Sequence, residues 1–342
     1  MSELLAHHTT LRLGGPAAEF VIAETEADLI SAVQTADETG IPVLILGGGS
    51  NLVVGDDGFD GRVIRIASRG IATDAAEDDA CHNAVTVTLE AGEPWDRFVA
   101  LAVDSGWIGI EALSGIPGLV GATPIQNVGA YGQEVAATIA SVRTWDRHQN
   151  AIQTFAAADC NFSYRMSRFK AEPDRYIVLQ VTFLLNRGTL SAPIAYAELA
   201  KSVGVEVGDR RPMAEVRSAV LALRGGKGMV LNPDDHDTWS AGSFFTNPIV
   251  GVSDVPEGAP SWPQPDGSVK TSAAWLIDHA GFGKGYGNDR VSLSTKHALA
   301  LTNRGSATTT DLLTLAGEIR NGVETAYGIR LVPEPVMVNC SL

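Results

Sequence analysis

The chain has 342 residues, of which 45% are hydrophobic and 19% are charged, and its formal net charge is −15 at pH 7. This length allows two or three domains, and the composition is ordinary for a globular protein. The acidic surplus argues against a surface for nucleic acids or anionic membranes, because both need a basic footprint.

The cysteines and histidines suggest neither disulfides nor a metal. Cys81, Cys160 and Cys340 are widely spaced and form no C-x-x-C pair, which is typical of a reducing compartment. The histidines show no metal-ligand spacing beyond the adjacent His7 and His8, so no metal site is expected. We recognise no signal peptide and no apolar run of membrane-spanning length. The sequence therefore predicts a cytoplasmic protein.

In the first quarter of the chain, short apolar runs alternate with one amphipathic segment. Strands are predicted at 19–23, 42–46, 53–54 and 62–66, and a helix is predicted at 26–39. The helix has apolar residues at helical spacing and ends at Gly40, a common terminator. The wholly apolar run 42–46 is typical of a strand covered on both faces. The acidic, polar stretch 73–83 is predicted to be an exposed loop.

Further along, a strand at 84–91 alternates apolar and polar residues, as a half-buried strand does. It is followed by a helix at 94–105 that directs four apolar side chains inward: Trp95, Phe98, Val99 and Ala102. Additional strands are predicted near 141–145 and 177–185.

The pattern of predicted elements changes after residue 188. We place there a boundary between an N-terminal α+β cofactor region and a C-terminal α+β region. Helices are predicted beyond it at 213–224, 272–280 and 311–326. Thr310 is the predicted N-cap of the last helix, and Gly328 follows its end. The stretch 248–267 is rich in Pro, Gly and Ser and is predicted to be a surface loop.

A glycine-rich turn, Gly47-Gly48-Gly49-Ser50-Asn51, follows the apolar run 42–46. Successive peptide N–H groups in such a turn form an anion-binding nest, and the last two residues add side-chain donors. No G-x-G-x-x-G motif and no Walker lysine is present, which disfavours a Rossmann or P-loop site. A purely structural turn would explain this motif equally well.

The segment 115–132, GIPGLVGATPIQNVGAYG, carries five glycines, two prolines and no charged side chain. A helix is disfavoured because each interior Gly costs about 1 kcal/mol and each Pro about 3 kcal/mol relative to Ala. Its apolar residues disfavour a solvated linker. We expect a buried, irregular backbone whose unpaired peptide groups a polar, planar ligand can satisfy. Together with the glycine-rich turn, this segment is predicted to be a cofactor cradle.

Three further segments place polar side chains among apolar or aromatic residues. In FSYRMSRFK (162–170), Arg168 and Lys170 favour an amphipathic surface strand, whereas Arg165 is a candidate to be held inward near an anion. In AGSFFTNP (241–248), Ser243 is either a turn serine, which chemistry alone favours, or a shielded proton donor. In LVPEPV (331–336), Glu334 is either solvated or a candidate for acid/base chemistry.

In order and spacing, PVLILGGGSNLVV, the cradle, YRMSRFK, AGSFFTNP, AAWLIDHAG and the terminal PE resemble the UDP-N-acetylenolpyruvoylglucosamine reductase family over residues 9–338. The resemblance implies an α+β fold with a vanillyl-alcohol-oxidase-type FAD-binding domain at 1–187, made of two α+β subdomains split near residue 70. A smaller α+β substrate-binding domain at 188–342 would follow.

The resemblance also implies the reaction. NADPH reduces FAD, and a hydride then passes to the enolpyruvyl ether of UDP-N-acetylglucosamine. Protonation of the adjacent carbon gives UDP-N-acetylmuramate, a peptidoglycan precursor. The family's functions in cell wall biogenesis, cell shape and cell division are implied as well.

The resemblance assigns roles to individual residues. Ser243 matches the family's proton donor, Arg165 the arginine that stabilises the enolate, and Glu334 the glutamate beside it. The positions near the UDP and phosphate groups are matched by Tyr196, Lys227 and Asn247. FAD is expected to contact Gly47, Gly48, Gly49, Ser50, Asn51, Gly115, Gly118, Gly121, Ala122, Thr123, Gln126, Asn127, Gly129 and Ala130.

The chain departs from the family pattern in two places. Glu334 is followed by Pro335 and Val336 rather than by Val and Arg, which alters the charge balance around Glu334. The segment 225–237, which contains Lys227, also differs from the expected length or composition.

Two other functions remain open from the residues alone. An FAD oxidase of the same fold is disfavoured in its covalent form because no histidine lies in the cradle. A catalytically silent flavin-binding regulator would have no need to keep Ser243, Arg165 and Glu334. We expect a monomer that binds small molecules, without nucleic-acid or membrane partners.

Overall fold

The computed structural model describes residues 3–74 and 83–342. Its helices are α1 (Glu26–Thr39), α2 (Trp95–Asp104), α3 (Arg168–Ala171), α4 (Ala197–Ser202), α5 (Met213–Gly226), α6 (Ala273–His279) and α7 (Thr309–Tyr327). Its strands are β1 (Ala17–Ala23), β2 (Val43–Leu46), β3 (Leu52–Val54), β4 (Phe59–Ile66), β5 (Ile71–Asp74), β6 (Ala84–Glu90), β7 (Trp107–Ile108), β8 (Gly129–Ala130), β9 (Gln133–Glu134), β10 (Ile139–Asp146), β11 (Ala151–Ala156), β12 (Tyr176–Arg187), β13 (Ile249–Val250), β14 (Ser261–Pro263), β15 (Val269–Thr271), β16 (Val291–Leu293), β17 (Leu301–Asn303) and β18 (Val336–Val338). The predicted α+β class is confirmed.

The chain forms two compact units, each discontinuous in sequence. Unit 1 contains the described residues of Met1–Ala18, Gly49–Asp60 and Gly226–Leu342, and unit 2 contains those of Glu19–Gly48 and Gly61–Gly225. The glycine-rich turn is therefore divided between the units after Gly48. The division near residue 188 concerns which ligand each part of the chain binds, and it stays a prediction.

Unit 2 is built on two sheets. One has the strand order β1-β4-β2, with β2 and β4 parallel, and the other has the order β11-β10-β12-β6-β5, with antiparallel neighbours. Along β6 buried side chains alternate with half-buried ones, as predicted. Helix α2 buries all four side chains predicted to face inward. Trp95, Phe98 and Phe183 meet in this core, with ring centroids 5.1–5.9 Å apart.

Unit 1 buries a second core between α6, α7 and the antiparallel pair β16–β17. The prediction of Thr310 as the N-cap of α7 is wrong. Thr308 caps this helix through a capping box, in which its hydroxyl accepts from the Asp311 amide and the Asp311 carboxylate accepts from the Thr308 amide. The Thr310 hydroxyl donates instead to Asp56, at 2.7 Å. Gly328 ends the helix with φ 69°, as predicted.

Three predicted loops or strands differ from the structure. The stretch 248–267 contains β13 and β14, which pair with β15 in a three-stranded sheet. The stretch 73–83 begins inside β5, and its residues 75–82 lie outside the described residues. The segment 162–170 is not a surface strand: Ser163 pairs with Met166 in a tight turn, and α3 follows. In the first two cases the strand is fixed by a partner strand rather than by its own sequence pattern.

Candidate active site

The first part of the glycine-rich turn, Gly47 and Gly48, lies against the cradle within unit 2. A Cβ added to Gly48 would lie 2.7 Å from the Cα of Gly118, closer than real Cβ contacts occur. A Cβ added to Gly47 would come no nearer than 3.8 Å, to Leu119 Cδ1. Only glycine fits at position 48 without moving backbone. At Gly48 and Gly118, the main chains of two glycine-rich segments singled out in the sequence therefore come into direct contact.

The cradle has the predicted irregular backbone, but many of its peptide groups are paired. The amides of Val120 and Gly121 donate to the carbonyls of Glu93 and Ala91, at 2.8 and 2.9 Å. Further amides donate to carbonyls within the cradle: Ala122, Thr123, Ile125, Asn127 and Val128. For these residues the expectation of unpaired peptide groups is wrong, because the turn after β6 supplies carbonyls to the first two amides and the cradle supplies its own to the others. Ile125, one of the apolar cradle residues that argued against a solvated linker, is 37% exposed.

Arg165 is held against the cradle, in unit 2. Its Nη2 donates to the carbonyl of Gly129 at 2.8 Å and its Nη1 to that of Asn127 at 3.4 Å. Arg165 and Asn127 both have left-handed backbone, with φ 54° and 46°. Such strained residues cluster at functional sites. The buried Asn127 side chain donates to the Glu134 carboxylate at 2.8 Å, which fixes its orientation. Arg165, predicted to be catalytic, is thus brought to residues predicted to bind the cofactor.

Asp96 on α2 connects the start of the cradle with α5, and sequence reasoning did not find it. Its Oδ1 accepts hydrogen bonds from the Gly115 amide at 2.6 Å and from Arg217 Nη1 at 2.7 Å, and its Oδ2 accepts from Arg217 Nη2 at 2.9 Å. Burial works to raise the pKa of Asp96, but the hydrogen bonds from Arg217 and Gly115 outweigh it and hold the pKa below its ordinary value of 3.8.

Asp96→Asn is expected to destabilise the protein at pH 7 by about 1 kcal/mol, a small effect because the carboxylate is partly exposed. Since folding lowers the pKa, the ionised group stabilises fully above pH 3.8, and this contribution is lost as the pH falls through the lower native pKa. Urea unfolding of both proteins should therefore show a difference that shrinks at acid pH. Asp60→Asn, an exposed carboxylate on β4, is the control. A difference independent of pH would contradict the ion pair.

In unit 1, the backbone of Glu334 is held on both sides. Its amide donates to the carbonyl of Phe244 at 2.8 Å. Its carbonyl accepts from Asn51 Nδ2 at 3.4 Å, and the Val336 amide donates to the Asn51 carbonyl at 3.0 Å. Because Ser243 immediately precedes Phe244, three predicted site residues, Asn51, Glu334 and Ser243, come from adjacent segments of one unit.

Packing fixes the backbone around Ser243. Gly242 before it has φ 72°, a left-handed conformation that glycine adopts without strain. Phe244 and Phe245 after it are each 1% exposed, and the Phe244 amide donates to the carbonyl of Leu299 at 2.7 Å. Ser243 therefore follows a glycine in a left-handed turn and precedes two phenylalanines that are fully packed in the core.

Thr10 is a second residue that sequence reasoning missed. Its amide donates to the carbonyl of Gly49 at 3.1 Å, and its hydroxyl donates to the carbonyl of Ser240 at 2.6 Å. All three residues belong to unit 1. No local motif marks Thr10, because its partner Ser240 is 230 positions away in the sequence.

The residues predicted to bind the UDP and phosphate groups lie in both units. Tyr196, just before α4 in unit 2, is 46% exposed, and its ring packs edge to face on Tyr131 of the cradle, 5.6 Å between centroids. Lys227 follows α5 directly in unit 1. The amide oxygen of Asn247 accepts from the Ala273 amide at 3.0 Å, so this atom stabilises the start of α6.

The predicted site residues thus form two sets. Unit 2 contains Gly47, Gly48, Gly115, Gly118, Gly121, Ala122, Thr123, Gln126, Asn127, Gly129, Ala130, Arg165 and Tyr196. Unit 1 contains Gly49, Ser50, Asn51, Lys227, Ser243, Asn247 and Glu334. Within the described ranges, no three His, Cys, Asp or Glu side chains are grouped to hold a metal ion. In the same part of the chain, no helix has the length and apolarity needed to cross a membrane.

Two family models match the chain. Residues 17–153 match a model described as an FAD binding domain, and residues 233–338 match one described as the C-terminal domain of UDP-N-acetylenolpyruvoylglucosamine reductase. The first match contains the whole cradle, and the second contains both Ser243 and Glu334.

Similar proteins extend over nearly the whole chain. The UDP-N-acetylenolpyruvoylglucosamine reductase of Cutibacterium acnes is 59% identical over 341 residues, which cover 99% of this chain and 90% of that protein. The protein of that name from Streptomyces coelicolor is 55% identical over 352 residues, with the same coverage. The crystal structure of UDP-N-acetylenolpyruvylglucosamine reductase from Thermus caldophilus superposes with a TM-score of 0.67 at 27% identity, covering 99% of this chain and 98% of that one.

Proposed function

Because the chain belongs to the UDP-N-acetylenolpyruvoylglucosamine reductase family, we infer that it is an FAD-dependent oxidoreductase that reduces UDP-N-acetylglucosamine enolpyruvate to UDP-N-acetylmuramate in peptidoglycan precursor synthesis. The observation that carries this function is the 59% identity across 99% of the chain. The fold accordingly combines a vanillyl-alcohol-oxidase-type FAD-binding domain with the family's C-terminal domain.

The residues present fit FAD. The close approach of Gly48 to Gly118 leaves no room for side chains between the turn and the cradle, so a flat ligand can reach the main chain of both segments. When bound, FAD supplies the hydride chemistry that protein side chains lack. We propose that the turn residues 47–51 and the cradle hold it, through the residues named above from the family resemblance. NADPH is the proposed reductant.

We propose that Ser243 Oγ donates the proton that completes reduction of the substrate. A serine hydroxyl is a weak acid, so this role needs a fixed geometry and little water, and the buried Phe244 and Phe245 supply both. The hydrogen-bonded backbone of Glu334 supports a role in orienting groups beside Ser243. The family usually carries an arginine two residues later, but this chain has Val336 there, so no arginine at that position contributes.

Arg165 is proposed to stabilise the negative charge that develops on the substrate. A guanidinium cannot lose its proton in a protein, so its charge is permanent. Its hydrogen bonds to the carbonyls of Gly129 and Asn127 orient the guanidinium before any substrate arrives, which is the arrangement that makes electrostatic stabilisation effective.

Several finer points complete the proposal. Residues 1–187 would bind FAD and residues 188–342 the substrate, with Tyr196, Lys227 and Asn247 near the UDP and phosphate groups. The protein would act as a cytoplasmic monomer without nucleic-acid partners, and its product would serve cell shape and division. The net charge of −15 supports the absence of nucleic-acid binding.

Anaerobic stopped-flow spectroscopy tests the function. The purified protein should be yellow, and NADPH should bleach it. Mixing the reduced protein with UDP-N-acetylglucosamine enolpyruvate should restore the colour in a single turnover. An FAD oxidase would instead be reduced by an alcohol or sugar and reoxidised by oxygen alone. A colourless protein that takes up no FAD would exclude every flavoenzyme function.

A further inference from the structure

We propose that Thr10 is a positioning residue that couples the glycine-rich turn to the segment carrying Ser243. The inference rests on the proposed function and adds a residue to which neither the sequence motifs nor the family resemblance gives a role. Thr10 is buried, with 7% of its surface exposed. Its backbone amide and its side-chain hydroxyl each donate a hydrogen bond to another segment of unit 1.

The two hydrogen bonds of Thr10 come from different donors and reach different segments. A threonine hydroxyl has one proton to donate. The Ser240 carbonyl lies 2.6 Å from Oγ1 and the Gly49 carbonyl 3.5 Å away, so the hydroxyl donates to Ser240. The Gly49 carbonyl is bound by the Thr10 amide instead, at 3.1 Å. Thr10 therefore contacts the turn through its main chain and the Ser243 segment through its side chain.

On the turn side, the contact is tight. Gly49 has φ 60°, and a Cβ at this position would come within 1.9 Å of the carbonyl oxygen of His8. The main chain of residues 8–10 thus packs directly on Gly49, and any movement of one displaces the other.

On the Ser243 side, the hydrogen bond fixes one end of a short backbone stretch. The Ser240 hydroxyl accepts from the Gly242 amide at 3.3 Å, and the other end of the stretch is fixed by the bond from the Phe244 amide to Leu299. Ser243 lies between these two points. Loss of the Thr10 hydroxyl would release the upstream point while leaving the Gly49 contact in place.

Thr10→Val, which keeps the shape and removes the hydroxyl, is the informative change. We expect reduction by NADPH to stay within about twofold of wild type and reoxidation by the enolpyruvyl substrate to slow by about tenfold, because one hydrogen bond and the alignment of the proton donor are lost. Thr10→Ser, which retains the hydroxyl, should restore reoxidation to within about twofold.

Thr9→Val is the matched control. Thr9 is also buried, but its hydroxyl donates to the Leu13 carbonyl, a contact within the same segment, at 2.9 Å. It should alter both half-reactions by the same small factor. Hydrogen–deuterium exchange of the full-length protein gives a readout independent of turnover. The amides of residues 242–244 should exchange faster in Thr10→Val than in wild type, and at the wild-type rate in Thr9→Val.

The outcomes separate the two hypotheses. Wild-type protein that the enolpyruvyl nucleotide does not reoxidise would contradict the proposed function. The role of Thr10 alone would be overturned if the wild-type protein turned over normally but Thr10→Val and Thr9→Val had the same half-reaction rates and the same amide exchange rates. Failure of Thr10→Ser to restore reoxidation would overturn it as well. Thr10→Ala, which cannot overpack the site, replaces the valine variant if the latter does not fold.

Discussion

Ser243→Ala is expected to slow reoxidation of the reduced flavin by the enolpyruvyl substrate by about three orders of magnitude, within the range that a positioned proton donor contributes. Reduction by NADPH should stay close to wild type, because that half-reaction needs no proton from this hydroxyl. The change removes only the side-chain oxygen of Ser243, and the backbone there is fixed by the buried Phe244 and its amide bond to Leu299, so the fold should persist.

Single-turnover stopped-flow measurement of each half-reaction checks this expectation. Ser240→Ala is the companion variant, since it alters a hydroxyl on the same segment that accepts a hydrogen bond from Gly242. Because its hydroxyl helps to hold the segment that carries Ser243, Ser240→Ala should slow reoxidation by about tenfold at most, far less than Ser243→Ala does. If Ser243→Ala slowed both half-reactions equally, Ser243 would be a structural residue and the proton would come from another group.

Gly48→Ala is expected to weaken FAD binding by about 10- to 100-fold, because overpacking a tight contact costs about 1–3 kcal/mol and each 1.4 kcal/mol is tenfold in affinity. The added Cβ would lie 2.7 Å from Gly118 Cα. The atom in the way belongs to the main chain, so the cradle itself must move to relieve the contact.

A glycine outside the predicted site provides the control. A Cβ added to Gly225 of α5 would meet no atom within 4 Å beyond its own helical backbone, so Gly225→Ala should bind FAD within about threefold of wild type. Fluorescence titration of flavin-free protein measures both affinities, and melting curves report any loss of fold. Wild-type affinity in Gly48→Ala would show that the turn and the cradle separate without consequence for the cofactor.

Long elements with a regular pattern were predictable from the sequence. Helix α1 spans the predicted residues 26–39, and β6 shows the predicted alternation, since both patterns depend on neighbours close in sequence. The N-cap of α7 is an instructive error. Three threonines precede Asp311, and only Thr308 stands three residues before it, the spacing that a capping box requires.

The short strands and the details of the site were not predictable, because their partners are remote. β16 and β17 have three residues each, too few for a period to show. The amides of Val120 and Gly121 are satisfied by carbonyls of residues 93 and 91, which a reading of the cradle alone does not reveal. The motifs predict which segments form the site, whereas the hydrogen bonds between Asp96 and Arg217, and between Thr10 and Ser240, could be found only from coordinates.

The parallel pairing of β3 with β18 has a consequence for how the enzyme is made. Asn51 and Glu334 are 283 positions apart, yet they share a hydrogen bond at the start of this pairing. During translation, β3 stays without this partner strand until β18 has left the ribosome. Until then Glu334, the proposed catalytic glutamate, is not held beside Asn51, and such distant closure makes this assembly step intrinsically slow.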